Sequence, residues 1–123
     1  MKLTVLFIED DKDQIALYKT KFELEGFDFL FACTGQDGLT IAKDKQPGLI
    51  FLDIVLSEGN GMEILKKLKK DAKTKNIPIA LLTNLSDNNS REEGKKLGAI
   101  DYVVKTGISL KELIQMAKEV IKS

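Results

Sequence analysis

Four places in the sequence set a reactive residue at the end of a short apolar run: Glu9-Asp10-Asp11 after residues 3–8, Asp53 after 49–52, Thr83 after 77–82 and Lys105 after 102–104. If those ends converge, three or more carboxylates, one hydroxyl and one lysine share a single rim. Carboxylates packed that closely raise each other's pKa unless a cation lies between them. A hard divalent ion, Mg²⁺ by preference, suits such a rim, because it takes one or two carboxylates and keeps several waters. Those open positions can hold a phosphoryl group.

Composition narrows the alternatives. The 123 residues contain no histidine and one cysteine, so His-based nucleophilic pairs, imidazole bases and His-ligated zinc are excluded. Cys33 permits no internal disulfide, which suits a reducing, cytoplasmic setting, and is expected to be a small buried apolar residue. The first apolar run is too short to span a bilayer, and no signal peptide or membrane helix is expected. Nineteen bases cancel nineteen acids overall, but residues 1–62 hold 11 acids and 6 bases, and residues 63–123 hold 8 acids and 13 bases. Neutrality thus conceals an acidic first half and a basic second half. Neither G-x-x-x-x-G-K-[ST] nor G-x-G-x-x-G occurs.

The elements that must position these residues follow from periodicity. Apolar runs at 3–8, 27–32, 49–52, 77–82 and 102–104 are too short for helices, and each is followed by a helical pattern. Five such βα units form a three-layer α/β/α sandwich around a parallel sheet. Runs such as Val5-Leu6-Phe7-Ile8 and Ile50-Phe51-Leu52 point to strands covered on both faces, whereas the second run, with Phe27, Phe29 and Phe31, reads as an edge. Asp11 caps the first helix and Gly26 ends it; Ser109 and Glu112 form a capping box for the last, which runs to the chain end. Further helices are expected near 36–45, 61–73 and 88–97. In such folds ligands bind outside the carboxyl ends of the strands, where the reactive residues stand.

The acidic pair in Leu6-Phe7-Ile8-Glu9-Asp10-Asp11, the acid in Leu49-Ile50-Phe51-Leu52-Asp53, the hydroxyl in Leu81-Leu82-Thr83 and the lysine in Tyr102-Val103-Val104-Lys105 resemble the receiver domain of two-component response regulators. The separations of 43, 30 and 22 residues between Asp10, Asp53, Thr83 and Lys105 suit that family, and the resemblance spans essentially the whole chain. It implies a flavodoxin-like strand order 2-1-3-4-5 and a single receiver domain over 1–123. Asp53 becomes the phospho-acceptor, and Asp10, Asp53 and the backbone carbonyl of Val55 ligate Mg²⁺, with Glu9 acting through a coordinated water. Lys105 offsets phosphoryl charge. Thr83 and Tyr102 are the switch: the Thr83 hydroxyl turns toward the phosphoryl oxygens and vacates space for Tyr102. Implied partners are a sensor histidine kinase or histidine phosphotransfer protein and a downstream effector that reads helix 4, strand 5 and helix 5. No nucleic acid or membrane contact is expected, and a phosphorylation-dependent homodimer is left open.

The sequence departs from that pattern at Thr106 and Ser57, both usually proline, and at Asn84, usually a small residue; Gly61 matches. Val55 and Leu85 border the line of attack on the phosphoryl group, and their apolar side chains imply a long-lived aspartyl phosphate. Each residue also has a plainer reading. The acidic triplet could only cap a helix, Asp53 could be a loop acid, Thr83 a turn hydroxyl, Lys105 a solvated lysine and Tyr102 a strand aromatic. The lysines between 66 and 75 read as a solvated helix face. Two rivals stand beside the receiver: a receiver-shaped interaction module that is never phosphorylated, which would normally have lost Asp10, Asp53 or Lys105, and a Mg²⁺-dependent Asp-nucleophile phosphatase. Such a phosphatase usually carries a second Asp two residues after the first, where this chain has Val55.

Overall fold

The computed structural model describes residues 3–122. Strands and helices alternate: β1 (Leu3–Ile8), α1 (Lys12–Leu24), β2 (Phe27–Ala32), α2 (Gly35–Lys45), β3 (Leu49–Leu52), α3 (Gly61–Lys70), β4 (Ile79–Thr83), α4 (Asn88–Lys96), β5 (Asp101–Val104) and α5 (Leu110–Lys122), with a short 3-10 turn over Lys105–Gly107. All strand pairs are parallel and the sheet order is β2-β1-β3-β4-β5, the order expected. β2 is an edge as read, and so is β5.

Side-chain alternation along the strands divides the core into two chemically different halves. Val5, Phe7, Phe27, Phe29, Leu49, Phe51, Ala80 and Leu82 face α1 and α5, where Tyr18 and Phe22 complete an aromatic cluster. Phe7 is its centre, 4.7 Å from Tyr18, 5.2 Å from Phe22 and 4.7 Å from Phe51 between ring centroids. Leu6, Ile8, Ile50, Leu52, Ile79 and Leu81 face α2 and α3 across an aliphatic layer, and Tyr102 packs against its margin. Burying the strands on both sides leaves their carboxyl ends as the open rim of the sheet.

The caps act as read. The Asp11 carboxylate accepts from Asp13 and Gln14 N–H, Gly26 takes a left-handed φ of 89°, and Ser109 and Glu112 cap each other's backbone N–H groups. The last helix is described only to Lys122, so the expectation that it reaches Ser123 lies outside the described residues. Three local readings need correction. β4 begins at Ile79 because Pro78 has no N–H for the ladder, although its carbonyl accepts from Ile50, and Ile77 N–H is spent on the preceding turn. α3 stops at Lys70 because Asp71 turns extended and its carboxylate accepts from Lys73 N–H. Cys33 is half-exposed. It lies just beyond an edge strand, beside Phe31 on a groove against α1 that nothing covers.

The segment after β3 folds back tightly. Gly61 N–H donates to Ile54 O at 2.7 Å, Val55 and Asn60 form an isolated bridge, and the Asn60 side chain caps α3. A Cβ at Gly61 would lie 2.1 Å from Asp53 O and 2.6 Å from Ile54 Cα, both backbone atoms that cannot swing aside. Gly61→Ala is therefore expected to lower unfolding stability by about 2 kcal/mol, as overpacking does. Gly107→Ala, which meets nothing within 4 Å, should stay within about 0.5 kcal/mol of wild type. Urea denaturation of the two variants checks both.

Candidate functional site

The sheet's hydrogen bonding runs one residue past the strands and so positions the first acids. Glu9 N–H donates to Ala32 O at 3.0 Å, and Asp53 N–H donates to Ile8 O at 3.1 Å. Both side chains are held at the sheet edge and buried, at 4% and 7% exposure. Across from them Lys105 starts the 3-10 turn after β5 and returns over the rim. Its ammonium donates to Asp53 Oδ2 at 2.9 Å and to Glu9 Oε1. Thr106 stands where the resembled family has proline, yet Lys105 reaches Asp53, and no peptide bond among the described residues is cis.

This ion triad modifies the reading of the rim. A cation does lie between Glu9 and Asp53, but it is the chain's own Lys105. Burial disfavours the Lys105 charge, but the hydrogen bonds and charges of Glu9 and Asp53 outweigh it and raise its pKa above the usual lysine value. Burial likewise raises the Glu9 carboxyl, with Lys105 and the Asp11 N–H pulling against it. Both Glu9 oxygens are engaged, since Oε2 accepts from Asp11 N–H at 3.1 Å.

Asp10 stands apart from the triad. Its carboxylate accepts from Ser57 N–H, and despite the opposing effect of burial that bond holds its pKa below the usual range. Asp10, Asp53, Val55, Thr83, Asn84, Leu85 and Lys105 line one open cleft of about 280 Å³. Among the described residues no three acidic or thiol side chains form a closed cage. Mg²⁺ does not require one: two carboxylates and a carbonyl, with waters retained, are a donor set of the kind it takes. Asp10, Asp53 and Val55 therefore fit a magnesium site by the chemistry of their donors. Asp53 Oδ1 also accepts from Val55 N–H at 3.2 Å, which ties the Asp53 carboxylate to the loop that would share the ion.

The hydroxyl side of the cleft is built around the backbone of one residue, Leu85. Thr83, fully buried, accepts from Leu85 N–H at 3.4 Å, while Tyr102 donates its hydroxyl to Leu85 O at 2.7 Å. Arg91 of α4 lies over the Tyr102 ring, 4.9 Å from its centroid. The rim thus brings together Glu9, Asp10, Asp53, Val55, Thr83 and Lys105, and leaves Tyr102 half-buried one step outside. Asp11 is occupied as a helix cap. Two roles escaped the sequence reading: that of Ser57, noticed only as a missing proline although its N–H orients Asp10, and the backbone role of Leu85, singled out for its side chain, in linking Thr83 with Tyr102. A backbone group carries no side-chain signal, so only the fold reveals them.

With this geometry in view, likeness to known proteins is informative. The family described as the response regulator receiver domain matches residues 5–118. The chain is 33% identical to a probable transcriptional regulator, ycf27, of Porphyridium aerugineum over 98% of its own length and 49% of that protein's. It is 31% identical to Protein PilH of Pseudomonas aeruginosa, covering 82% of this chain and 84% of that one. The receiver domain of the Francisella response regulator 1452 superposes with a TM-score of 0.88 at 31% identity, over 98% of both chains. The chain spans about half the length of several curated relatives that it matches. A strand order of β2-β1-β3-β4-β5, a Lys105–Asp53 ion pair at the strand ends and a family match over nearly the full length agree: this chain belongs to the response regulator receiver domain family.

Proposed function

We propose that this chain accepts a phosphoryl group on Asp53 and converts it into a change of surface around α4, β5 and α5. The observation that carries this reading is the Lys105–Asp53 pair inside the cleft shared with Asp10, Val55 and Thr83. An ionised carboxylate needs no base to act as a nucleophile at neutral pH. An Asp53 oxygen attacks the phosphorus of a phosphohistidine or small acyl phosphate. The new P–O bond replaces the bond to the leaving group, which keeps the electron pair; an imidazole then takes a proton from solvent, whereas a carboxylate leaves as the anion. These 123 residues hold no histidine, so a phosphohistidine donor would lie outside them, on a histidine kinase or phosphotransfer protein.

The carboxylates of Asp10 and Asp53 and the Val55 carbonyl would hold Mg²⁺, with Glu9 assisting through water. Bound there, the ion supplies positive charge against the transferring oxygens. Lys105 supplies the second positive charge, already dehydrated and aimed. After transfer, Thr83 turns its hydroxyl from Leu85 N–H to the phosphoryl oxygens. This frees the N–H of Leu85, the residue whose carbonyl Tyr102 holds in the next peptide unit, so a group of about two negative charges reaches the α4–β5 surface through two hydrogen bonds on the Leu85 backbone. The effector, and a second copy in any phosphorylation-dependent dimer, would read that surface. No described helix is long and apolar enough to cross a membrane; the location proposed for this signalling role, by family likeness, is the cytoplasm. The receiver-shaped module that is never phosphorylated is the remaining rival.

Incubation with Mg²⁺ and acetyl phosphate separates the two readings. Wild type is expected to gain one phosphoryl mass and Asp53→Asn none; equal gain, or none in either, would overturn the assignment. Lys105→Met leaves Glu9 and Asp53 facing each other and should cost about 3 kcal/mol at neutral pH. Because the folded state raises the Lys105 pKa, this contribution is fully present below its ordinary value of 10.5 and fades as pH rises through the folded value. On the alkaline side, the stability gap between wild type and Lys105→Met, followed by urea denaturation across pH, should therefore persist past the ordinary lysine value and close only in strong alkali; in acid it narrows as the carboxylates protonate. Val55 is 59% exposed and Leu85 36%, and neither offers an attacking water a polar partner. Val55→Asn with Leu85→Glu is expected to speed release of phosphate about tenfold, equivalent to roughly 1.4 kcal/mol of barrier.

A further inference from the structure

Between α1 and the start of α5 lies a second, smaller pocket of about 120 Å³, lined by Gln14, Tyr18, Lys105, Ile108, Ser109 and Leu113 among others. It reaches the ion triad from a side the acceptor cleft does not. Tyr18 is only 5% exposed, and its ring stacks on Phe7 at 4.7 Å with an interplanar angle of 25°, so the phenol has little freedom to turn away. Its oxygen lies in the combined field of Lys105, Glu9, Asp53 and Asp11, and burial above all raises its pKa, which keeps the hydroxyl protonated.

Packing alone does not call for a hydroxyl here. Ile15, Tyr18 and Phe22 are the buried stripe of α1, and the same packing would be satisfied by a phenyl ring. An ammonium has three N–H donors, of which Glu9 and Asp53 take two. A pocket of this size admits a water, and a water needs two to four polar partners to be held; Gln14, Tyr18, Lys105 and Ser109 supply them.

We propose that the Tyr18 hydroxyl, through a water in this pocket, takes the third N–H of Lys105 and so holds the ammonium against Asp53. Tyr18 is then a positioning residue for phosphoryl transfer: it touches neither donor nor acceptor, and it acts by limiting where Lys105 can stand. The catalytic part of this inference rests on Asp53 being the acceptor; the structural part does not.

The test uses Tyr18→Phe, which keeps the ring stack and deletes only the oxygen, and Gln14→Met, which leaves Tyr18 intact and makes the pocket less hospitable to water. Both variants should stay folded, with urea midpoints lowered by no more than the loss of one ordinary hydrogen bond allows. By NMR, hydrogen exchange at the Lys105 ammonium should be about fivefold faster in both variants, the ratio one ordinary hydrogen bond is worth. Phosphorylation by acetyl phosphate at saturating donor should slow by about the same factor with KM unchanged. A Lys105 ammonium that exchanges as in wild type in both variants would overturn the proposal. Loosened Lys105 in a protein that gains no phosphoryl group would support the Tyr18 contact while refuting Asp53 as acceptor, so the two failures are distinguishable.

Discussion

Two buried carboxylates at the end of adjacent strands would repel each other and draw water into the core, were it not for the ammonium of Lys105 between them. Lys105 touches both Glu9 and Asp53 while itself only 13% exposed at the side chain. Breaking such a cluster by removing one partner leaves uncompensated charge, which is why its cost exceeds that of a surface pair. The same arrangement would serve the proposed chemistry: a cation already dehydrated and aimed at Asp53 need not reorganise if phosphoryl charge arrives there. Stability and chemistry here are two consequences of one electrostatic contact.

That contact exists because the sheet brings β1, β3 and β5 to a common edge although their reactive residues lie far apart in sequence. The halves of the core contribute differently. On the α1 and α5 side, interlocked rings around Phe7 fix α1 against the sheet, and with it the pocket that backs Lys105. On the other side, buried Gly35 and Gly38 leave room for Ile64 and Ile8, whose atoms would stand 2.4 to 2.5 Å from any added Cβ. α4 is the exception, since Gly94 is its one buried residue among otherwise polar positions. The helix nearest Tyr102 is thus the one least anchored by apolar packing, and its register with β5 depends on small contacts such as Arg91 over the Tyr102 ring.

Much of this was legible beforehand because two independent codes coincide. Apolar runs of strand length alternate with helical stripes, and the reactive types fall at the run ends, so the parallel sheet and its rim of Asp10, Asp53, Thr83 and Lys105 followed from the residues, while the strand order β2-β1-β3-β4-β5 followed from the family resemblance. Boundaries failed where a single backbone group decides them: Pro78 delays β4 by lacking an N–H, and Asp71 ends α3 by bonding forward to Lys73. Lys105 was expected on the rim as the partner of its acids, and it pairs with Glu9 from 96 residues away. What residue types alone did not show is how close that pairing is: the ammonium stands between Glu9 and Asp53 and touches both. Cys33 looked buried because residue type was weighed without the knowledge that its strand edge lacks a covering neighbour.

The account stands on Asp53 as the residue that takes the phosphoryl group, and the most direct measurement identifies the modified residue chemically. Protein treated with Mg²⁺ and acetyl phosphate, then with borohydride, has any acyl phosphate reduced to an alcohol, so an aspartyl phosphate becomes homoserine that peptide mass spectrometry can place. Homoserine at position 53 and at no other acid is the expected result. Homoserine at position 10 or 11, or none at any carboxylate in a folded, Mg²⁺-loaded sample, would contradict it.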